Sequence, residues 1–102
     1  MIELTSKQRK GLERLAQRLK PLVIVGQSGA TQALEQKVAQ CLNDHELVKV
    51  RFNEFKEEKK ELALDIANAT NSTLVRLIGN VATFYKESDD EEKRKIKLNK
   101  LT

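Results

Sequence analysis

Hydrophobic positions along this 102-residue chain change their spacing several times, and each change marks an element. Leu12, Leu15, Ala16 and Leu19 recur three and four residues apart, which predicts one apolar face of a first helix. Thr5 or Ser6 is placed to cap that helix, and Gln8 stands three residues after Thr5 in the capping-box position. Pro21 disfavours helical geometry at Lys20 and starts an extended segment. The four apolar residues Leu22–Val25, three of them β-branched, read as a buried strand. A second helix is predicted from about Thr31 to Asp44, with Leu34, Val38, Cys41 and Leu42 as its stripe. The period then falls to two over Leu47–Phe52, so Val48, Val50 and Phe52 share one face while Leu47, Lys49 and Arg51 take the other. A polar stretch over residues 53–60 leads into a third helix with Leu62, Ile66 and Ala69 on its core side. Leu74–Ile78 reads as a third strand, Gly79-Asn80 as a two-residue hairpin turn, and Val81–Lys86 as an antiparallel fourth strand.

The order is therefore α-β-α-β-α-β-β. Right-handed β-α-β connections put the linking helices on the same side of the sheet. The expected fold is an α/β (α+β) two-layer sandwich: a four-stranded mixed sheet with helices packed against it, its other face open or partly covered. After residue 87 the pattern changes. An acidic block over residues 87–92 gives way to the basic run Lys93-Arg94-Lys95-Ile96-Lys97, which reads as a solvated tail whose Ile96 and Leu98 are able to dock back. The expected division is one domain over residues 1–87 and a charged tail over 88–102.

Charge sharpens this picture. The chain carries a net charge of +4, and residues 1–20 alone hold Lys7, Arg9, Lys10, Arg14, Arg18 and Lys20 against Glu3 and Glu13. The remainder sums to zero, so the whole excess sits at one end, as expected for a polyanionic partner. On the predicted first helix, Lys7, Lys10, Arg14 and Arg18 form a stripe nearly opposite the apolar face. Charged residues on a solvent-facing helix are ordinary, but within the helix body only Glu13 offsets this stripe, so helical ion pairing does not account for it. Lys49 and Arg51 extend the basic surface across the sheet, with Arg76 as a further candidate.

Between the first strand and second helix lies Gly26-Gln27-Ser28-Gly29, followed by Ala30 and Thr31. Two glycines three apart permit positive φ and a close approach of backbone to a partner. The helix N-terminus behind them adds unpaired N–H groups and partial positive charge. The loop lacks the third glycine of a dinucleotide fingerprint and the Gly-Lys-Ser/Thr of a P-loop, so no mononucleotide or other small-molecule substrate is expected. A Gly-x-x-Gly loop that clamps a nucleic-acid backbone remains open. Phe52, Phe55, Phe84 and Tyr85 are the only aromatic residues, too few for a base-stacking sheet. Tyr85 reads as a rim residue with a wet hydroxyl.

Catalytic chemistry finds little support. His45 is the single histidine and stands at a helix end, and Cys41 falls on an apolar stripe. One histidine and one cysteine do not make a usual structural zinc site. No enzyme activity, metal or cofactor is expected. A lone cysteine agrees with a reducing compartment, and no apolar run approaches the roughly 20 residues that cross a bilayer. A cytoplasmic protein without membrane association is the expectation.

The combination Leu19-Lys20-Pro21, Val23–Gly29 with Thr31, and His45-Glu46-Leu47-Val48-Lys49-Val50 resembles the YhbY-type CRM domain, the chloroplast RNA splicing and ribosome maturation module. Lys7-Gln8, Leu12, Leu15-Ala16, Ile78-Gly79 and Tyr85-Lys86 continue the resemblance over about residues 3–87. It implies a fold similar to the C-terminal domain of translation initiation factor three and an RNA-binding role on precursors of the large ribosomal subunit. Many relatives place a basic residue within the glycine loop, where this chain has the uncharged Gln27 and Ser28, and Ala30 replaces a larger aliphatic. More of the electrostatic burden then falls on the first helix.

The sequence thus points to a monomeric, non-enzymatic protein that contacts structured ribosomal RNA. The expected contact residues are Gly26, Gln27, Ser28, Gly29, Lys7, Lys10, Arg14, Arg18, Lys20, Lys49 and Arg51. The competing expectation is an adaptor whose basic face meets an acidic protein.

Overall fold

A computed structural model of the chain describes residues 2–101. Helix α1 spans Ser6–Ala16, α2 Gln32–His45 and α3 Lys59–Thr70, and the strands are β1 Val23–Val25, β2 Leu47–Phe52, β3 Thr73–Ile78 and β4 Val81–Tyr85. Element order and type agree with the sequence reading, including the two-residue turn at Gly79-Asn80, where Gly79 takes φ 56°.

The sheet order is β1-β2-β4-β3. β1 runs parallel to β2, while β4 is antiparallel to both β2 and β3. The hairpin thus folds back to insert β4 between β2 and β3. Along β2, Val48, Val50 and Phe52 point into the main core with Val23, Val25, Ala82 and Phe84, sealed by Val38 and Leu42 of α2 and Ala63, Ile66 and Ala67 of α3. The stripe of α3 runs through Ala63, Ile66, Ala67 and Thr70, so Ala69 is exposed, contrary to the expectation that it faces the core. The Thr70 hydroxyl stays in this buried row by donating to the carbonyl of Ile66 at 2.8 Å.

On the opposite face α1 covers one end of the sheet. Leu12 and Ala16 pack there with Leu47, Val75 and Tyr85, so Leu47 is buried although it shares its face with Lys49 and Arg51. β1 is an edge strand. Its Val23 and Val25 are buried while Leu22 and Ile24 lie exposed, so the four-residue apolar run is buried on alternate residues only.

The charged C-terminal segment is not free in solvent. Ile96, Leu98 and Leu101 pack against the α1 cluster, and Leu101 lies so close over Gly11 that a Cβ there would approach its Cβ to 2.8 Å. Two short 3-10 turns, Glu91–Lys93 and Leu98–Lys100, bend the segment back. Its anchor is Glu46, fully buried at the end of α2. The Glu46 carboxylate accepts N–H bonds from Ser88 (2.7 Å), Lys95 (2.6 Å) and Ile96 (3.1 Å).

Candidate nucleic-acid interface

Helix α1 begins as its sequence dictates. Thr5 accepts from the Gln8 N–H at 3.1 Å, and the Gln8 side chain accepts from the Thr5 N–H at 3.0 Å, closing a capping box. Lys7, Lys10 and Arg14 then project from the exposed side and line one shallow depression together with Lys100 of the C-terminal segment. Arg9 lies off this ridge. Its guanidinium reaches the edge strand β3, donating to the carbonyl of Leu74 at 3.0 Å and to that of Val75, beside the register shift between Leu74 and Arg76.

The helix stops at Ala16, earlier than the periodicity suggests. Gln17 caps it and the Leu19 N–H bonds back to the Ala16 carbonyl at 3.0 Å, a turn that brings the chain round to Pro21. Arg18 therefore does not extend a helical stripe. It stands with Lys20 beside Lys49, whose ammonium donates to the Leu19 carbonyl at 3.2 Å. A backbone bond from Leu22 to the Lys49 carbonyl, 3.1 Å, stitches this corner to the sheet.

Register places the remaining members. Arg51 opposes Ile24 across the β1-β2 ladder and follows Lys49 by two residues on the same exposed face. That is a step of about 7 Å toward the far end of β1, where the glycine loop begins. The sequence-nominated residues thus fall along a track: Lys7, Lys10 and Arg14 on α1, then Arg18, Lys20 and Lys49 at the corner, then Arg51, then the loop. The loop and the helix ridge do not meet as neighbours; the short strand β1 separates them.

Within the loop the two glycines differ. Gly29 takes φ 74°, so its backbone favours glycine, while a Cβ there would lie at contact distance, 3.4 Å, from the Phe55 ring. Gly26 has no positive φ, and a Cβ built on it meets nothing within 4 Å. Its lack of a side chain serves nothing inside the described fold. The Gly29 N–H is spent on the Gly26 carbonyl and the Thr31 N–H on the Gly29 carbonyl, each at 3.0 Å, whereas the exposed Gln27 and Ser28 use neither of theirs within the described residues. Thr31 caps α2 by accepting from the Leu34 N–H at 3.1 Å. Glu35 sits in the first turn of α2 and counters part of its positive end.

Which cations are available follows from the ion pairs. Arg76 meets Glu13 at 3.1 Å, and Arg94 meets Glu87 at 3.5 Å and donates to the Ser88 carbonyl at 2.7 Å. With Arg9 held by β3, three arginines have partners within the fold, Arg76 through a largely exposed ion pair without a hydrogen bond. Lys7, Lys10, Arg14 and Arg18 form no ion pair among the described residues.

Sequence reasoning missed Lys95 and Lys100, which the docked C-terminal segment adds to this surface. The signal was present in the alternation of Ile96 and Leu98 with lysines, a half-buried pattern. Tyr85 is a correction in the other direction. It is fully buried against α1, not a rim residue, and its hydroxyl has no hydrogen-bond partner among the described residues. Burial, followed by the nearby Glu46 and Glu87, pushes its pKa from 10.0 up to about 12. Cys41 packs half-buried against the main core. Among the described residues, no cluster of His, Cys, Asp and Glu is arranged to hold a metal ion, and no helix is long and apolar enough to cross a membrane.

Comparison with known proteins agrees with this architecture. A protein of Haemophilus influenzae named RNA-binding protein is 34% identical over 91 residues, covering 88% of this chain and 92% of its own length. The Bacillus subtilis protein named Probable RNA-binding protein YqeI is 34% identical over 96 residues, covering 93% of this chain and 98% of that one. The solution structure of a hypothetical Staphylococcus aureus protein superposes with a TM-score of 0.75 at 33% identity, over 93% of this chain and all of that one. The model of the CRS1 / YhbY (CRM) domain matches residues 4–86. The chain belongs to the CRS1 / YhbY (CRM) domain family.

Proposed function

We propose that this chain binds structured RNA through its sugar-phosphate backbone and acts, without catalysing a reaction, on ribosomal RNA in a precursor of the large subunit. The observation that carries the reading is the division of its cations: Arg9 and Arg94 are hydrogen-bonded into the fold and Arg76 is paired with Glu13, while Lys7, Lys10, Arg14 and Arg18 project unpaired along one side. A row of unpaired cations gathered on one side, with little acidic charge beside it, suits a polyanion. Relatives named as RNA-binding proteins support the choice of RNA, and the ribosomal target follows the family resemblance. Gly26 fits the same reading as a point where backbone closes on backbone, with the unused N–H groups of Gln27 and Ser28 facing the phosphates. The protein works as a cytoplasmic monomer in this account.

A salt titration tests it. With about five phosphates neutralised, log K against log salt concentration falls with a slope of about −3.5 to −4.5. Replacing Lys7, Lys10, Arg14 and Arg18 together by glutamine flattens that slope by about three to four and leaves the fold intact. A salt-independent affinity, or a quadruple variant that binds as the parent does, overturns the reading. Gly26→Ala tests the loop separately, since a Cβ there meets nothing within 4 Å: normal RNA affinity removes the loop from the contact. Partners recovered from cells despite nuclease treatment would turn the basic face over to a protein.

A further inference from the structure

At the corner where α1 ends, the surface is more than basic. A groove of about 480 Å³ opens between the end of α1, the start of β1 and the docked C-terminal segment. Inside its rim the lining is mostly aliphatic, with Leu15, Leu19, Leu22, Leu47 and Ile96, and it includes one imidazole, His45. Three of these are large apolar side chains left substantially open to solvent, Leu15 at 44%, Leu19 at 39% and Leu22 at 47%. Single exposed leucines need no explanation, but several gathered into one concavity mark a binding surface. The rim bears Arg18, Lys20, Lys49 and Lys95, and no aspartate or glutamate lines the groove. The wall carrying Lys95 and Ile96 is held in place by the two N–H bonds these residues donate to the Glu46 carboxylate.

An apolar slot ringed by cations fits a ligand with a flat, weakly hydrated body and anionic groups at its edge. A nucleotide within an RNA chain has this chemistry, and the rim charge continues along Arg51 and the α1 ridge as a polymer's footprint rather than ending as a single headgroup site would. We propose that this groove receives an unpaired base of the bound RNA, bulged or in a loop, while the rim cations hold the phosphates on either side of it. The proposal rests on the RNA reading above and adds a preference to it. A base already outside a helical stack enters at little cost, whereas a paired base must first break its pair and its stacking. Among the groove residues inside the cationic rim only His45 offers side-chain polar atoms to a base edge, so the groove selects for unpaired structure more than for base identity.

The test compares two RNA hairpins that differ by one bulged nucleotide. The expected result is that the parent protein binds the bulged hairpin about tenfold or more tightly than the paired one. The double variant Leu19→Gln, Leu22→Gln, both at exposed positions, binds the two hairpins equally and keeps the affinity and salt slope of the parent for the paired one. A 4-thiouridine placed at the bulge and irradiated on the parent protein is expected to crosslink to groove residues, a readout that needs no variant to fold. Equal affinity of the parent for both hairpins, an unchanged preference in the double variant, or crosslinks only outside the groove overturns the proposal and leaves the groove to a protein partner. Loss of salt-dependent binding to both hairpins in the parent instead strikes the RNA reading itself.

Discussion

The two faces of the sheet are built on different terms. On the α2/α3 side, every inward position of β2 is apolar and fully buried, and two helices close over it. On the α1 side the same strand presents Leu47, Lys49 and Arg51, and a single helix with a strap of C-terminal chain covers only one end. The first face supplies the apolar burial that a small domain needs to offset its chain entropy. The second gives up part of that burial and keeps cations and leucines at the surface. The main apolar core and the unpaired cations of α1 thus lie on opposite sides of four strands, so in the proposed RNA reading the binding side is free to vary in charge without loosening that core.

The sharpest way to break this contrast is to attack the sealed face. Phe84→Ala removes a fully buried ring from beneath α2 and α3 and is expected to cost about 3–5 kcal/mol in urea denaturation. A loss below about 1 kcal/mol would show that the α2/α3 side does not carry the fold. Glu46→Ala comes next, at about 2–4 kcal/mol, because three N–H donors lose their acceptor at once. Here the contrast can be sharpened: hydrogen exchange is expected to rise at Ser88, Lys95 and Ile96 while β1 and α2 stay protected. Uniform loss of protection would mean that the strap and core unfold as one unit.

Tyr85 gives a smaller, pH-dependent effect. Its folded-state pKa of about 12 lies above the unfolded value of 10.0, so the fold favours the neutral phenol. That contribution is whole below pH 10 and is lost as pH rises through 12, a fall of about 2–3 kcal/mol. The lysines titrate nearby, so the difference between the parent and Tyr85→Phe isolates it. Identical pH profiles for the two proteins would show that the phenol is in contact with water.

Much of the fold was legible because hydrophobic period reports which residues share a face. The capping box at Thr5 and Gln8, the stripe of α2 and the alternation of β2 are local patterns, and the structure repeats them. Period does not report whether a face is covered. Leu47 and Tyr85 are buried only because α1 lies across them, and the insertion of β4 between β2 and β3 depends on pairing among distant segments. The anchoring role of Glu46 was hidden for a related reason: a carboxylate between a histidine and a leucine looks like surface until residues 88–96 return to donate to it. The candidate surface was legible in its α1 and loop residues, since charge and glycine are visible without tertiary structure. Lys95 and Lys100, and the apolar groove that Lys95 helps to frame, required the docked segment.

The placement of Arg9 has a consequence for solubility. β3 is an edge strand, and exposed edges invite a strand from another molecule to pair with them. Arg9 puts a charged group onto the carbonyls of Leu74 and Val75, so an incoming strand would have to displace a guanidinium and bury its charge. A residue that looks like one more cation in a basic helix thereby serves as a guard against sheet-to-sheet aggregation.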